Sequence, residues 1–165
     1  MPFDSKILKE TMEGRQLTLA VAESLTSGRI QAAAGAVSGA SHYFLGGVTV
    51  YSIDQKVKHL GIDRAHADSV NAVSPRVAAE MATGVATLFE SDFSVSSTGY
   101  AEPSPEKNVL EPFAFVAVCR RTNGVAVVLS VDRITGTGLT RTEMQQHVAE
   151  FALGRLQEHL DLERE

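Results

Sequence analysis

At 165 residues, 44% of them hydrophobic and 21% charged, the chain has room for about one domain with a sizeable core and needs no covalent staples. Its 15 basic and 20 acidic residues leave a net charge of -5, no Lys/Arg run exceeds Arg120-Arg121, and Trp is absent, all of which argues against nucleic acid as a partner. One cysteine, Cys119, excludes an intramolecular disulfide; the lack of an apolar run near roughly 20 residues, and an N-terminus without the apolar core of a secretory signal, exclude a membrane partner and make the cytoplasm the expected location.

In chain order, SKILKETME at 5–13 carries Ile7, Leu8 and Met12 at helical spacing and predicts a short amphipathic helix. LTLAVAES at 17–24 is a short apolar run with some β character, so a buried strand ending at Ser24 is expected. TSGRIQAAAGAV then predicts a helix starting near Thr26 or Ser27, both good capping residues. FLGGVTVYS at 44–52 reads as the second strand, its glycine pair allowing a bulge or a close backbone approach. DQKVKHLG predicts a helix capped by Asp54 and stopped by Gly61.

AVSPRVAAEMATGVATLFE is the clearest helix, with Ser74 as cap, Pro75 at the first helical position, and Val77, Met81 and Val85 recurring every four residues. Three β-rich runs follow, DFSVSSTG, FAFVAVCR and GVAVVLSVD, the last two joined through Asn123-Gly124, a strong hairpin signal. The segment from Gly99 to Pro112, with three prolines, is expected as a loop over a sheet edge. A long amphipathic helix closes the chain, with Met144, Val148, Phe151, Leu153 and Leu156 near one face. This order implies a single-domain α/β/α sandwich with a mixed sheet over residues 1–165.

In open α/β sheets, ligands bind beyond the carboxyl ends of the strands. Ser24 ends the first strand where a helix begins; it is placed either to act as a nucleophile beside free backbone N–H groups or, with Thr26 and Ser27, to cap that helix. Lys56, one turn into the helix after the second strand, can point at the same sheet end. Burial would lower its pKa enough to make it the base that serine needs; otherwise it is a solvated charge like Lys58. Tyr51 can then hydrogen-bond the amine or the hydroxyl. Gly136-Thr137-Gly138-Leu139-Thr140-Arg141 matches neither the dinucleotide fingerprint nor a Walker loop, and reads as a capping turn or as a site for one phosphate or carboxylate. The five histidines show no paired ligand spacing and Cys119 has no partner, so no metal and no cofactor are expected. His42 is the reserve candidate for a proton shuttle.

Several motifs together resemble one family: AES-x-T-x-G at 22–28, SGASHYF-x-GGVTVYS-x-x-x-K at 38–56, LG-x at 60–62 and AVS-x-x-VA-x-x-MA-x-G at 72–84. They are similar to the nicotinamide-nucleotide amidases, also known as the C-terminal domain of competence-damage protein CinA, and the likeness runs from about residue 5 to the end. The resemblance implies an α/β/α domain, often a homo-oligomer, that hydrolyses the carboxamide of nicotinamide mononucleotide to nicotinate mononucleotide and ammonia without a metal. It implies Ser24 as nucleophile and Lys56 as base, with Tyr51 and Thr26 lining the site. Ser27, Gly28, Ser41, Gly47, Thr98 and Gly99, in or beside the same motifs, and Arg141, in the last-helix motif, are expected on the substrate side.

The chain also departs from the family. Glu102 stands where T-G-x-A-G-P has glycine, Glu111 where K-P-V-G-T-V has lysine, Gln145 where a second arginine is expected, and Ser27 where the first motif has its first glycine. Added carboxylates and a lost cation weaken binding of an anionic nucleotide wherever they face the pocket. Two other readings therefore stand beside the amidase: a non-catalytic module binding a nucleotide or protein, and an amidase for a different small carboxamide.

Overall fold

The computed structural model describes residues 3–164. Helix α1, Ser5–Gly14, starts at Asp4, whose carboxylate accepts from the Lys6 backbone N–H, and buries Leu8 and Met12 while Ile7 faces water. Strand β1, Leu19–Glu23, lies between β2, Phe44–Thr49, and β3, Phe93–Tyr100, parallel to both. Strand β4, Phe113–Thr122, runs antiparallel to β3, and β5, Val125–Thr135, antiparallel to β4, giving the order β2-β1-β3-β4-β5. The β4–β5 turn holds Asn123 and Gly124 at φ 52° and 77°, the two left-handed residues that a tight hairpin needs.

Helices cover both faces, so β1 is buried along its whole length, and its four apolar side chains, Leu19 to Ala22, alternate between two cores. Leu19 and Val21 pack with α1, with α2 (Arg29–Ala34) and with the long α6 (Arg141–Leu162) through Ile30, Val148, Leu153 and Leu156. Ala20 and Ala22 pack on the other side against α3 (Ile53–Leu60), α4 (Arg64–Ser69) and α5 (Pro75–Phe89) through Leu60, Ala67, Val77, Met81 and Val85. The α/β/α sandwich with a mixed sheet expected from the sequence is the fold observed. On the α5 side β3 buries hydroxyls: Ser94, Ser96 and Thr98 donate to the carbonyls of Ala82, Ala78 and Ala72 at 2.6 Å each. Left unpaired, each would cost about 1–3 kcal/mol.

Several local expectations are corrected. Helix α2 begins at Arg29, and neither Thr26 nor Ser27 caps it; Gly28, at φ 96°, is the flanking residue. Ser52, not Asp54, caps α3 by accepting from the Gln55 N–H, while Gly61 ends it as expected. β2 stops at Thr49, three residues early, and the six-residue α4 carries no periodicity from which to predict it. Phe151 is only partly buried beside the α6 core. The loop after β3 contains a 3₁₀ turn at Pro105–Lys107 and lies at the carboxyl ends of the parallel strands, not over a sheet edge. Among the described residues no helix is long and apolar enough to cross a membrane.

Candidate active site

Strands β1, β2 and β3 are parallel, so their carboxyl ends share one rim, and a cleft of about 410 Å³ opens there. Ser24, Leu25, Tyr51, Lys56, Thr98, Gly99, Glu102 and Arg141 are among its walls. Ser24 is the first residue past β1 and 8% exposed; Lys56 lies in the first turn of α3, on the same face as Leu60, and is 2% exposed. Their side chains meet: Lys56 Nζ lies 2.8 Å from Ser24 Oγ and 2.8 Å from the Val50 carbonyl oxygen. Among the described residues Lys56 makes no ion pair, so burial acts on its ammonium unopposed and pushes the pKa from 10.5 down to about 8. At pH 7 about a tenth of such amines are neutral, a hundredfold or more above a solvated lysine. As an ammonium Nζ donates to both oxygens; as an amine it can accept the Ser24 proton while still donating to Val50.

The turn carrying Ser24 is held from below. The Glu23 carboxylate, fully buried, accepts from the backbone N–H groups of Ile30 and Gln31 at 2.9 and 3.0 Å and from Gln31 Nε2 at 2.9 Å. These contacts occupy the positive end of α2, so it does not face Ser24 as the sequence suggested. The Ser27 N–H is also committed, donating to the Ser24 carbonyl at 3.1 Å. The N–H groups of Leu25 and Thr26 donate to no acceptor among the described residues; Leu25 lines the cleft, whereas Thr26 is not among its walls.

The remaining expected residues divide sharply. Tyr51 lines the cleft but is 55% exposed, and its hydroxyl accepts from Arg141 Nη2 at 2.6 Å instead of reaching Ser24 or Lys56. Thr98, Gly99 and Arg141 are in the walls. Thr26 is fully buried with its hydroxyl 2.7 Å from Ser97 Oγ, which ties the turn to β3. Ser27 and Gly28 form the outer corner of a turn closed by the Arg29 N–H on the Thr26 carbonyl, outside the cleft walls. Ser41 sits in the 3₁₀ turn Ala40–His42 just before β2, at the amino ends of the parallel strands and so at the end of the sheet opposite the cleft. Beside it His42 pairs with Glu13 at 2.8 Å and is no proton shuttle for this cleft. Gly47, in mid-strand, is required by packing: a Cβ there would lie 2.5 Å from the Val21 carbonyl oxygen and 2.8 Å from the Gln31 side chain.

Of the departures from the family pattern, Glu102 enters the cleft wall and binds Arg141, Glu111 binds the Thr137 hydroxyl outside it, and Gln145 is buried in α6. The reading of the sequence missed Asn71 and Ala72, which line the cleft in left-handed conformations at φ 51° and 55°. It also missed Tyr100, whose hydroxyl accepts from Asn71 Nδ2 at 3.1 Å, and the rim residues Glu106 and Lys107. Ala72 opens the motif at 72–84 and Tyr100 follows Gly99, so these two could have been found, whereas no motif marks Asn71, Glu106 or Lys107. Among the described residues no group of three or more His, Cys, Asp or Glu is gathered as a metal site would require.

A family model described as the CinA C-terminal domain matches residues 4–160. A CinA-like protein of Picosynechococcus sp. is 38% identical over 112 residues, 68% of this chain and 26% of its own length. A CinA-like protein of Chlorobium phaeobacteroides is 37% identical over 148 residues, 88% of this chain and 34% of its own. The chain thus spans about a quarter to a third of the length of these curated relatives. A solved competence-damaged protein (CinA) superfamily structure from Klebsiella pneumoniae superposes with TM-score 0.85 at 26% identity, covering 95% of each chain.

Proposed function

Because this chain belongs to the CinA C-terminal domain family, we propose that it is a serine-lysine amidohydrolase that deamidates the carboxamide of nicotinamide mononucleotide to nicotinate mononucleotide and ammonia. The observation that carries the reading is the buried 2.8 Å contact between Lys56 Nζ and Ser24 Oγ. A serine hydroxyl is inert at its own pKa, and an amine drawn down to about 8 by burial is a base matched to neutral pH.

In the proposed cycle neutral Lys56 takes the Ser24 proton as Oγ bonds to the amide carbon. The carbonyl π electrons move onto oxygen, where the Leu25 N–H group can receive the charge. The C–N bond breaks as the Lys56 ammonium returns its proton to nitrogen, so ammonia leaves and an acyl-Ser24 ester remains. Water adds to that ester with Lys56 again taking the proton, and collapse releases the acid and restores the Ser24 hydroxyl. The Val50 carbonyl holds Nζ in place throughout, and Glu23 holds the turn that carries Oγ.

Ammonia release from nicotinamide mononucleotide tests this reading, comparing the parent with Ser24→Ala and Lys56→Ala. Each variant is expected to lose at least about a thousandfold in kcat. Equal release from all three proteins would reject the assignment. A second reading, an amidase for a less anionic amide, is favoured by one contact: Glu102 already occupies Arg141.

A further inference from the structure

Groups from three distant parts of the chain meet at the cleft mouth. Glu102 comes from the loop after β3, Tyr51 from the turn between β2 and α3, and Arg141 opens α6. Arg141 Nη1 donates to Glu102 Oε1 at 2.8 Å and Nη2 to the Tyr51 hydroxyl at 2.6 Å, so both terminal nitrogens already have partners. A phosphate binds a guanidinium best through two parallel N–H···O bonds, and Glu102 and Tyr51 each already hold one of the N–H groups that could make them. Even displaced, the carboxylate stays near the mouth, where it repels a dianion, and Glu106 adds a second negative charge, so that the two carboxylates offset the cations of Arg141 and Lys107. A substrate with an uncharged group at this position meets no such opposition. Glu102 Oε2, without a partner among the described residues, even offers it an acceptor.

We infer that Glu102 is a specificity-determining residue that turns this cleft against carboxamides bearing a phosphate near Arg141 and toward their unphosphorylated counterparts. The inference rests on the amidase chemistry for what is turned over and sides with the second reading of its substrate, the less anionic amide; the selection itself is a property of binding. The pair is partly solvated, with side-chain exposures of 44% for Arg141 and 58% for Glu102, so the effect is moderate and sensitive to salt. Removing the Glu102 charge should improve binding of a phosphorylated ligand by about tenfold at low ionic strength and by about threefold at high salt.

The test uses Ser24→Ala protein, which holds ligand without turnover, alone and combined with Glu102→Gln or Glu106→Gln. Each is titrated calorimetrically with nicotinamide mononucleotide and with nicotinamide riboside, the same carboxamide without phosphate. The riboside is expected to bind the Ser24→Ala parent at least as tightly as the mononucleotide. Glu102→Gln should raise the mononucleotide-to-riboside affinity ratio about tenfold, and Glu106→Gln, which removes a charge that touches no guanidinium, by much less. An unchanged ratio, an equal shift from Glu106→Gln, a shift indifferent to salt, or no binding of either compound overturns the inference. Ammonia release by the Ser24-intact proteins separates the two readings. If the ratio shifts as expected but no protein releases ammonia, the hydrolytic reading falls and selection by Glu102 stands.

Discussion

At the floor of the cleft Lys56 and Ser24 are withdrawn from water, whereas at its mouth Arg141, Glu102 and Tyr51 make equally short contacts with about half of each side chain in solvent. The distances are alike and the consequences are not. Below, a low dielectric, with no counter-ion among the described residues, raises the neutral fraction of the amine at neutral pH to about a tenth. Above, solvent screens the charges, so the same spacing governs which ligand is preferred without altering the chemistry of any group. A cleft divided in this way can change its substrate by substitutions at the rim while its reacting groups stay fixed. Of the four departures from the pattern the sequence resembles, only Glu102 is in the cleft, and it is at the mouth.

The sharpest way to break the comparison is to remove the buried charge. The folded chain holds the Lys56 proton only up to about pH 8, while the unfolded chain holds it to about 10.5. Between those values the unfolded state binds more protons, so stability rises with pH; below 8 the full cost of the buried ammonium is present, about 3 kcal/mol. Lys56→Met should therefore abolish ammonia release yet stabilise the fold near pH 7, minus about 1 kcal/mol for the orphaned Val50 carbonyl. Its advantage should shrink by more than half by pH 9.5, because the folded Lys56 has by then lost the proton that the unfolded chain still holds. Urea denaturation of both proteins at the two pH values checks this, and a stability difference independent of pH would mean that Lys56 is not titrating in a dry site. In the parent, kcat/KM should rise with pH and level off above about 8, because the base must be neutral.

Next in size is the support under the nucleophile. Glu23→Gln replaces an acceptor of three N–H groups with a side chain that must turn an NH₂ toward at least one of them. The expected cost is about 2 kcal/mol, together with about a tenfold loss in kcat, because the next residue is Ser24. Loss of stability without loss of kcat would show that the turn positions Ser24 unaided.

How far these features were legible in the sequence follows from the range of the interactions. Ser74-Pro75, Asn123-Gly124 and the α5 repeat are local signals, and the structure has them as read. Lys56 was ambiguous because a lone cation is usually solvated. The available clue was its i, i+4 spacing to Leu60 on an amphipathic helix, which puts both on the buried face. Thr26 and Ser27 look like caps by composition, but the carboxylate seven residues before Ile30 takes that role, and composition does not report a contact made by the chain folding back. The Glu102–Arg141 pair spans 39 residues and depends on where two loops meet, which no periodicity encodes.

The smallest effect lies on the outer corner of the catalytic turn and separates backbone strain from chemistry. Ser27, at φ 53°, is a non-glycine residue in the left-handed region, and with Gly28 at φ 96° it forms the middle of the Thr26–Arg29 turn. A side chain there costs about 1–2 kcal/mol of local strain. Ser27→Gly removes that strain but gives the unfolded chain more freedom, worth about 0.5–1 kcal/mol, so the net gain should be up to about 1 kcal/mol. The Ser27 side chain is exposed and makes no hydrogen bond among the described residues, so nothing else is lost. Denaturation should show the gain while kcat stays within about twofold, because Ser24 and Lys56 are fixed by Glu23 and Val50 and not by this corner. A fall in kcat beyond that range would mean that the left-handed serine holds the nucleophile in place, and that the turn belongs to the catalytic floor instead of its scaffold.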